Sequence, residues 1–286
     1  MAISNFQQTI WSKKIQEALK TITSLRNHCD FQYEADSKNA KEVKILNVTR
    51  PTIRTYTPGN SITREGGTDG SATLQINQFK YFNFEVDDVD KAQSVPGLKE
   101  ALAREAGRGL AEEGDKYVAS LVKTGVEAGS NPLAQSSSVI SLSKSNVVRS
   151  MEDGFAVLYG NNCKVSDVFY LEVGPKESTI VREALTELAT ENAEILKKGA
   201  IGKYSNAYVC IENLLPTGKS SGSQATDDVR YNILRTDKAI AFVEQINKVE
   251  AYRPQDAFSD AIKGLYTFGA LITRPNEIYV MKTAIA

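Results

Sequence analysis

Residues 81–86 read Tyr-Phe-Asn-Phe-Glu-Val, and a long helical pattern follows them over residues 98–124. Aromatic or apolar side chains alternate with polar ones in the first stretch, at the period of two that is typical of a strand with one buried face. In the second stretch, apolar residues recur every three or four positions, and opposite charges stand four apart, as at Arg108 and Glu112. These residues predict a strand that leads through a short joint into one long helix.

The predicted helix is near the upper end of helix lengths in globular proteins. Its apolar stripe is narrow and its other face is charged, so it suits a strut along an extended subunit better than the wall of a compact enzyme. Gly107, Gly109 and Gly114 interrupt it, although glycine weakens a helix relative to alanine. We expect another part of the chain to pack closely against the helix backbone at these glycines.

The composition is that of an ordinary globular protein. The 286 residues are 41% hydrophobic and 24% charged, which is enough for one large domain or for two lobes. A net charge of −1 gives no reason to expect a polyanion held by bulk charge. No apolar run approaches the length of a membrane span, and the first five residues lack the pattern of a secretion signal. Three widely spaced cysteines, Cys29, Cys163 and Cys210, fit synthesis in a reducing cytosol.

Two N-terminal segments look like extensions rather than parts of a core. Residues 6–27 predict an amphipathic helix, and its apolar face includes Trp11 and Ile15. Farther on, extended runs at 42–57 and 72–86 flank a tip that is rich in turn-forming residues. A two-stranded hairpin is marginally stable alone in water, so we expect it to lie against a neighbour.

The second half of the chain predicts an α+β unit followed by a pair of strands. A loose linker at 125–145 precedes the unit, which has a normal domain size of about one hundred residues. The last two strands stand on either side of a turn at 274–276, and we expect them to form one sheet against the long helix. The predicted helices of the unit lie at 147–158 and 175–196, its strands at 168–173, 208–211 and 239–243, and a polar insertion at 217–230.

Few residue patterns suggest catalysis. Residues 217–221 read Thr-Gly-Lys-Ser-Ser, like the end of a phosphate-binding loop. However, Asn213 stands where the motif needs its first glycine, and a loop rather than a helix follows Lys219. His28 and Cys29 are adjacent, which is poor geometry for a base and its nucleophile, and a zinc site would lack further ligands. We interpret all of these residues as structural.

Two further sequence patterns could suggest a binding or catalytic site, and we interpret both as structural. Asp87, Asp88 and Asp90 could bind a hard cation or act as acid and base, but their spacing matches no calcium loop. We interpret them as a solvated or partner-facing strand end. Residues 199–202, Gly-Ala-Ile-Gly, have the spacing of an RNA-clamping loop without the matching order of elements, so a tight turn explains them better. The sequence therefore predicts no catalytic residue, no cofactor and no metal site.

Three groups of segments nevertheless occur in an informative order. They are residues 74–94 with the helix that reads Leu-Ala-Glu-Glu-Gly-Asp at 110–115, residues 199–202 leading to 209–216, and residues 265–269 with Arg274-Pro275. Each is degenerate alone. In this joint order, over nearly the whole chain, they resemble the major capsid proteins of tailed bacteriophages, whose subunit fold is also seen in herpesvirus capsid floors.

The resemblance implies an α+β tailed-phage major capsid fold with an arm, an extended loop and two domains. The implied parts are an N-terminal arm at 1–37, an extended two-stranded loop at 38–90, a peripheral domain at 91–145 with its spine helix at 97–123, an axial domain at 146–245, and C-terminal strands of the peripheral domain at 246–286.

The resemblance also implies a structural function, in which copies assemble into pentamers and hexamers of an icosahedral shell around the phage genome. The implied partners are other copies, scaffolding and portal proteins, in some shells decoration proteins, and packaged double-stranded DNA contacted non-specifically, with no membrane. Synthesis and assembly would take place in the host cytoplasm, and the product would be the virion capsid. The implied contact residues between subunits are Trp11, Ile15, Gly59, Arg64, Glu65, Asp69, Asp87, Asp88, Arg104 and Arg108.

Some members of this family cross-link a lysine of the extended loop to an asparagine of a neighbour. No lysine lies between Lys44 and Lys80 here, so we expect noncovalent closure. We also expect no long N-terminal scaffolding segment, which favours a separate scaffold or a short-arm mechanism.

Three other functions remain open at this point. Another structural subunit of a virion, in the tail or sheath, is the closest competitor. A nucleotide hydrolase would use Lys219, and a nucleic-acid-binding module would use Lys197, Lys198 and Lys203.

Overall fold

The fold combines three helices with three sheets among the described residues, and it confirms the predicted α+β class. A computed structural model describes residues 24–37, 40–48, 52–56, 58, 61, 69–87, 98–128, 132–187, 203–219, 229–255 and 258–284. The helices are α1 (Leu98–Val126), α2 (Val147–Gly160) and α3 (Pro175–Glu187). The strands are β1 (Glu42–Val48), β2 (Asp69–Gln75), β3 (Gln78–Asp87), β4 (Ala134–Gln135), β5 (Phe169–Val173), β6 (Lys203–Tyr204), β7 (Ala207–Ile211), β8 (Thr217–Gly218), β9 (Val229–Thr236), β10 (Ile240–Tyr252), β11 (Ser259–Ile272) and β12 (Ile278–Ala284).

The long helix α1 packs along a three-stranded antiparallel sheet of order β10-β11-β3. It has 29 residues, which at 1.5 Å per residue makes it about 44 Å long. The predicted long helix is therefore confirmed, and it ends two residues later than expected. Small side chains take part in its buried face, which includes Ala103, Leu110, Ala111, Val118, Ala119 and Val122.

The glycines of α1 divide into two kinds. A Cβ atom added at Gly114 would lie 3.8 Å from side-chain atoms of Arg26, Phe242 and Tyr266. This is an ordinary van der Waals distance that leaves room for a Cβ atom, so the predicted close packing against the helix backbone is not confirmed at Gly114. At Gly109 a Cβ atom would meet nothing within 4 Å, so the same prediction is wrong there.

The predicted extended run at 72–86 is divided between two sheets. β1 and β2 form a two-stranded antiparallel hairpin of seven residue pairs, whereas β3 pairs with β11 in the sheet beneath α1. The chain passes from one sheet to the other at Ile76 and Asn77, and a Cβ atom at Gly269 would overlap the backbone carbonyl of Gln75 there. The prediction of one continuous strand is wrong, because apolar alternation does not specify which neighbour each half pairs with.

A seven-stranded sheet forms the second lobe, in the order β4-β12-β9-β5-β7-β6 with β8 paired to β9. Helices α2 and α3 cover one face of this sheet, where Phe155, Phe169, Leu171 and Val181 are buried together. The opposite face contributes Ile233 and other residues to the core beneath α1. The two lobes therefore share a continuous apolar core.

Two strands of this sheet differ from what the sequence predicts. β9 was not predicted, because Asn232 and Arg235 interrupt its apolar pattern, yet both are fully buried. β12 pairs with β9 and β4 rather than with β11, so the predicted sheet of the last two strands is wrong. The reason is that both faces of β12 are covered, with Val280 in the core beneath α1 and Met281 in the core beneath α2 and α3.

The predicted linker at 125–145 is partly ordered into this sheet. It contains the end of α1 and β4, which pairs in parallel with β12, and Ile140 forms a further bridge to Thr283.

In the parts of the chain that the structure describes, no helix is long and apolar enough to cross a membrane.

Candidate functional site

A buried cluster of charged side chains connects the N-terminal segment to both lobes; we call it the polar junction. Its centre is Arg235 on β9, which has no exposed surface and donates to both carboxylate oxygens of Glu172 on β5. The Nη2–Oε1 distance is 2.8 Å. The same guanidinium donates to the backbone carbonyls of Leu25 at 2.7 Å and His28 at 2.9 Å. A planar group with five donors can hold a carboxylate and two carbonyls together in this way.

The charges of this pair stabilise each other. Burial alone would raise the pKa of Glu172, but the charge of Arg235 and hydrogen bonds from His28 and Arg235 outweigh burial. The pKa of Glu172 is therefore held below its ordinary value. Burial likewise opposes the charged form of Arg235, and Glu172 overcomes it and raises the pKa of the guanidinium. Both groups are ionised, and each depends on the other.

His28 bridges the junction to a cysteine, but to Cys210 rather than to its sequence neighbour. Its Nδ1 lies 3.0 Å from Glu172 Oε1, its Nε2 lies 3.8 Å from Cys210 Sγ, and its ring stacks on Tyr170 at 4.0 Å. The order of thiol, imidazole and carboxylate is that of a cysteine nucleophile. However, burial, with the nearby charges of Glu172 and Glu212, raises the pKa of Cys210 to about 12, whereas a nucleophilic thiol needs a lowered pKa. The arrangement favours a structural role, and burial also raises the pKa of Cys29.

Two more carboxyl groups complete the junction. Asp115 on α1 accepts the backbone N–H groups of Ser24 at 3.2 Å and Arg26 at 2.8 Å. Glu212, which follows β7, accepts the Ser24 hydroxyl at 2.6 Å. Burial raises the pKa of Asp115, and it raises that of Glu212 to about 7. Neither carboxyl group has a cation that offsets the cost of its burial, whereas Glu172 has Arg235.

A second arginine extends the junction to the three-stranded sheet. Arg26 forms an ion pair of 2.6 Å with Glu244 on β10 and donates to the hydroxyl of Tyr266 on β11 at 2.9 Å. Tyr266 in turn donates to Glu244 at 2.9 Å. Residues 24–30 are therefore held by α1, β5, β9, β10 and β11 at once. This arrangement fixes residues 24–30 to both lobes.

The outer surface of the three-stranded sheet carries exposed apolar side chains; we call Phe79, Tyr81, Tyr252 and Leu265 the aromatic face. Tyr81 is 79% exposed, and Phe79 and Tyr81 project from the side of β3 opposite to α1. A groove of about 320 Å³ lies beside Tyr81 and Leu265. The charged residues Lys248, Glu250 and Lys263 line the same groove, and Lys263 also stacks over the ring of Tyr252. An apolar patch with a charged border is typical of a protein–protein contact.

The structure does not support the remaining enzyme hypotheses. Gly218 belongs to β8 and pairs with Val229, and a Cβ atom there would overlap the Tyr231 hydroxyl, so the segment before Lys219 is a strand rather than a phosphate loop. Asp87 is the last residue of β3, while Asp88, Asp90 and residues 199–202 lie outside the described ranges. Within the described ranges, no group of three or more His, Cys, Asp or Glu side chains could hold a metal ion.

Solved structures from phages share this architecture. A structure from Mycobacterium phage Che8 is 25% identical, with 91% of this chain and 90% of that chain covered and a TM-score of 0.74. A capsid structure of the cyanophage P-SCSP1u is 15% identical, with coverage of 87% and 85% and a TM-score of 0.69. The mature capsid of bacteriophage PhiM1 is also 15% identical, with coverage of 91% and 87% and a TM-score of 0.67. The chain has the tailed-phage major capsid fold. No protein-family model and no curated protein matches it.

In the capsid fold, we expect α1 to be the spine helix and β1–β2 to belong to the extended loop. Arg104 and Arg108 are exposed on the spine helix, and Arg108 pairs with Glu112 at 3.2 Å as its spacing predicted. Asp69 begins β2 and Asp87 ends β3. The other predicted contact residues, Trp11, Ile15, Gly59, Arg64, Glu65 and Asp88, lie outside the described residues. All ten contacts, and the herpesvirus part of the resemblance, stay predictions.

The polar junction was not predicted from the sequence. One half of it could be inferred, because Glu172 stands between apolar residues in the predicted strand at 168–173. A charge at such a position needs a partner of opposite charge. The pairing of β5 with β9, which brings the two together, could not be read from either strand alone.

Proposed function

We propose that this chain is the major capsid protein of a tailed phage, and that copies of it form the pentamers and hexamers of an icosahedral shell around the genome. The observation that carries the proposal is the similarity to phage structures, two of them capsids, over 87–91% of the chain. Shells of this kind close through many modest interfaces that symmetry repeats. The role is structural and needs no catalytic group.

The hairpin of β1 and β2 supports a role in contacts between subunits. Its base packs on the body of the chain, where Val43, Leu74 and Ile76 meet Ala241 and Val243. Away from the base, Leu46 is 72% exposed and Ile53 is 82% exposed. A two-stranded sheet with bare apolar side chains gains stability when a neighbour covers it. The hairpin is therefore the part of the chain best suited to reach over an adjacent copy.

The aromatic face is the best candidate for the surface that another copy covers. Its apolar side chains stand on a rigid sheet that α1 supports from behind, so little order has to be gained on binding. The charged residues Lys248, Glu250 and Lys263 around it would set the orientation of the incoming copy. Closure by such contacts is noncovalent, in line with the absence of lysine between Lys44 and Lys80.

The remaining partners belong to the same proposal. Scaffolding and portal proteins, and in some shells decoration proteins, would act with this chain during assembly in the host cytoplasm. Packaged double-stranded DNA would touch the finished shell non-specifically, because a chain with net charge −1 holds no strong bulk attraction for it.

A charge placed on the aromatic face tests this function. Tyr81→Lys should fold normally but fail to assemble, because its ammonium group would be buried in the contact without a partner. Val165→Lys is the matched control, since Val165 is 70% exposed and lies outside the aromatic face. Sedimentation velocity of each protein, with a scaffold or crowding agent present, should give large particles for the wild type and the control and a 31.3 kDa monomer for Tyr81→Lys. Assembly of Tyr81→Lys at the wild-type level would contradict this role of the face.

A further inference from the structure

Residues 24–30 are attached to the rest of the chain by two chemically different sets of contacts. Arg235 donates to the carbonyls of Leu25 and His28, and the guanidinium keeps its charge at every physiological pH. At the far end, Asp30 pairs with β10 through hydrogen bonds of 2.8 Å and 2.9 Å to Ile240 and Phe242. These contacts do not depend on pH near neutrality.

The contacts at Ser24 are different, because they use carboxyl groups that have no cation of their own. Glu212 is only 3% exposed; its Oε2 accepts the Ser24 hydroxyl, and its Oε1 has no hydrogen-bond partner among the described residues. The carboxyl groups that face Glu212 are Asp115 from α1 and Glu172 from β5, and Cys210 lies on the adjoining strand β7. The facing cation is Arg235 from β9, which is already paired with Glu172, while Arg26 is directed to Glu244. An ionised Glu212 would therefore be a buried negative charge beside two others.

We propose that Glu212 is a proton-dependent switch for the N-terminal segment: residues 24–30 dock firmly when this carboxyl group is protonated and dock weakly when it is ionised. A protonated Glu212 still accepts the Ser24 hydroxyl and removes one of the three neighbouring negative charges. Ionisation keeps the hydrogen bond but adds an uncompensated buried charge, which only undocking can bring into water. The N-terminal segment can then change its attachment without any change in the contacts of Arg235 to Glu172.

The direction of the pH effect follows from linkage. Burial raises the pKa of Glu212 to about 7 in the docked state, against an ordinary value of 4.5 when the segment is undocked. Between these two pKa values, Glu212 is ionised in the undocked form and protonated in the docked form. The equilibrium constant for docking therefore falls by up to about tenfold per pH unit, to a total of about 300-fold, and is constant well above pH 7. Asp115, whose pKa is also raised, acts in the same direction. Glu172, whose pKa is lowered, affects docking only below its ordinary value of 4.5.

Hydrogen–deuterium exchange of the full chain at pH 5 to 8 tests the switch, with rates corrected for the pH dependence of an unstructured peptide. The protection of the amides at residues 24–30 should fall by about 40-fold from pH 5 to 7 and level off by about pH 8. Glu212→Gln, which keeps an acceptor but cannot ionise, should hold the high protection at every pH. Glu183→Gln, at an exposed carboxylate on α3, should behave as the wild type. The amides of α2 report whether the fold as a whole is intact.

Two results would overturn the proposal: a wild-type protection that does not change between pH 5 and 7, or an equal fall in Glu212→Gln. If Glu212→Gln loses the protection of α2 and is therefore misfolded, Ser24→Ala replaces it in the test. That variant keeps the titrating carboxyl group, so it should show weaker protection at pH 5 and still a fall towards pH 7. A flat profile in Ser24→Ala would then reject the switch.

Discussion

Replacement of Arg235 by methionine should be among the most damaging single changes in this chain. The side chain is fully buried, and its removal leaves His28 as the remaining hydrogen-bond partner of the buried Glu172 charge among the described residues. Breaking a buried pair on one side costs about 3–5 kcal/mol. The carbonyls of Leu25 and His28 also lose the guanidinium as a donor, at about 1–3 kcal/mol for a group that stays buried without another donor. Since these costs overlap, we expect a loss of about 4–6 kcal/mol in the free energy of unfolding.

A double variant separates the charge from the packing. Arg235→Met with Glu172→Met removes both charges and leaves two apolar side chains of similar length, so at least half of the lost stability should return. Lys238→Met is the surface control, because Lys238 pairs with Asp167 at 3.6 Å while half exposed, and its loss should cost no more than about 1 kcal/mol. Urea unfolding at pH 7, followed by far-ultraviolet circular dichroism, compares the four proteins. A stabilising role of the buried charge pair would be contradicted if Arg235→Met lost no more stability than Lys238→Met, or if the double variant were as unstable as Arg235→Met.

Three further predictions concern packing, closure and pH. Gly269→Ala should lower the free energy of unfolding by about 2 kcal/mol or more, because its Cβ atom would overlap the backbone of Gln75. Gly109→Ala, in an open part of α1, should raise the free energy of unfolding by up to about 1 kcal/mol. Equal shifts of the two variants in thermal denaturation would contradict this. Assembled shells boiled in detergent should run as a single 31.3 kDa band in gel electrophoresis, and a ladder of multiples would disprove noncovalent closure. Because the pKa of Glu212 is raised, the wild type should lose about 3 kcal/mol of folding stability as pH rises from 4.5 to 7, at about 1.36 kcal/mol per pH unit. In urea unfolding, the stability of Glu212→Gln relative to the wild type should therefore increase over this range. A constant difference in stability between the two proteins would refute the linkage.

The parts of the fold that depend on local periodicity could be predicted from the sequence. The spacing of apolar residues predicts α1 to within two residues of its end, and α2 begins where its pattern begins. Strand pairing could not be predicted in the same way. Residues 72–86 form strands in two different sheets, and β12 pairs with β9 rather than with β11, its neighbour in the sequence, because pairing depends on which faces the rest of the chain covers.

The polar junction is hidden from sequence analysis for a related reason. Arg235 makes β9 look like part of a polar loop, although its charge is matched by Glu172, 63 residues earlier in the chain. His28 meets Cys210 rather than Cys29, and the distance between their atoms is set by the tertiary fold. The order of segments, in contrast, was sufficient to indicate the capsid fold, since order is kept when individual motifs are degenerate.

Negative-stain electron microscopy of the expressed chain, alone and with a scaffold or crowding agents, tests the capsid proposal most directly. We expect closed shells, tubes, or rings of five and six subunits built from the 286-residue chain. A chain that stays monomeric under all of these conditions, and that binds nucleotide, would contradict the proposal.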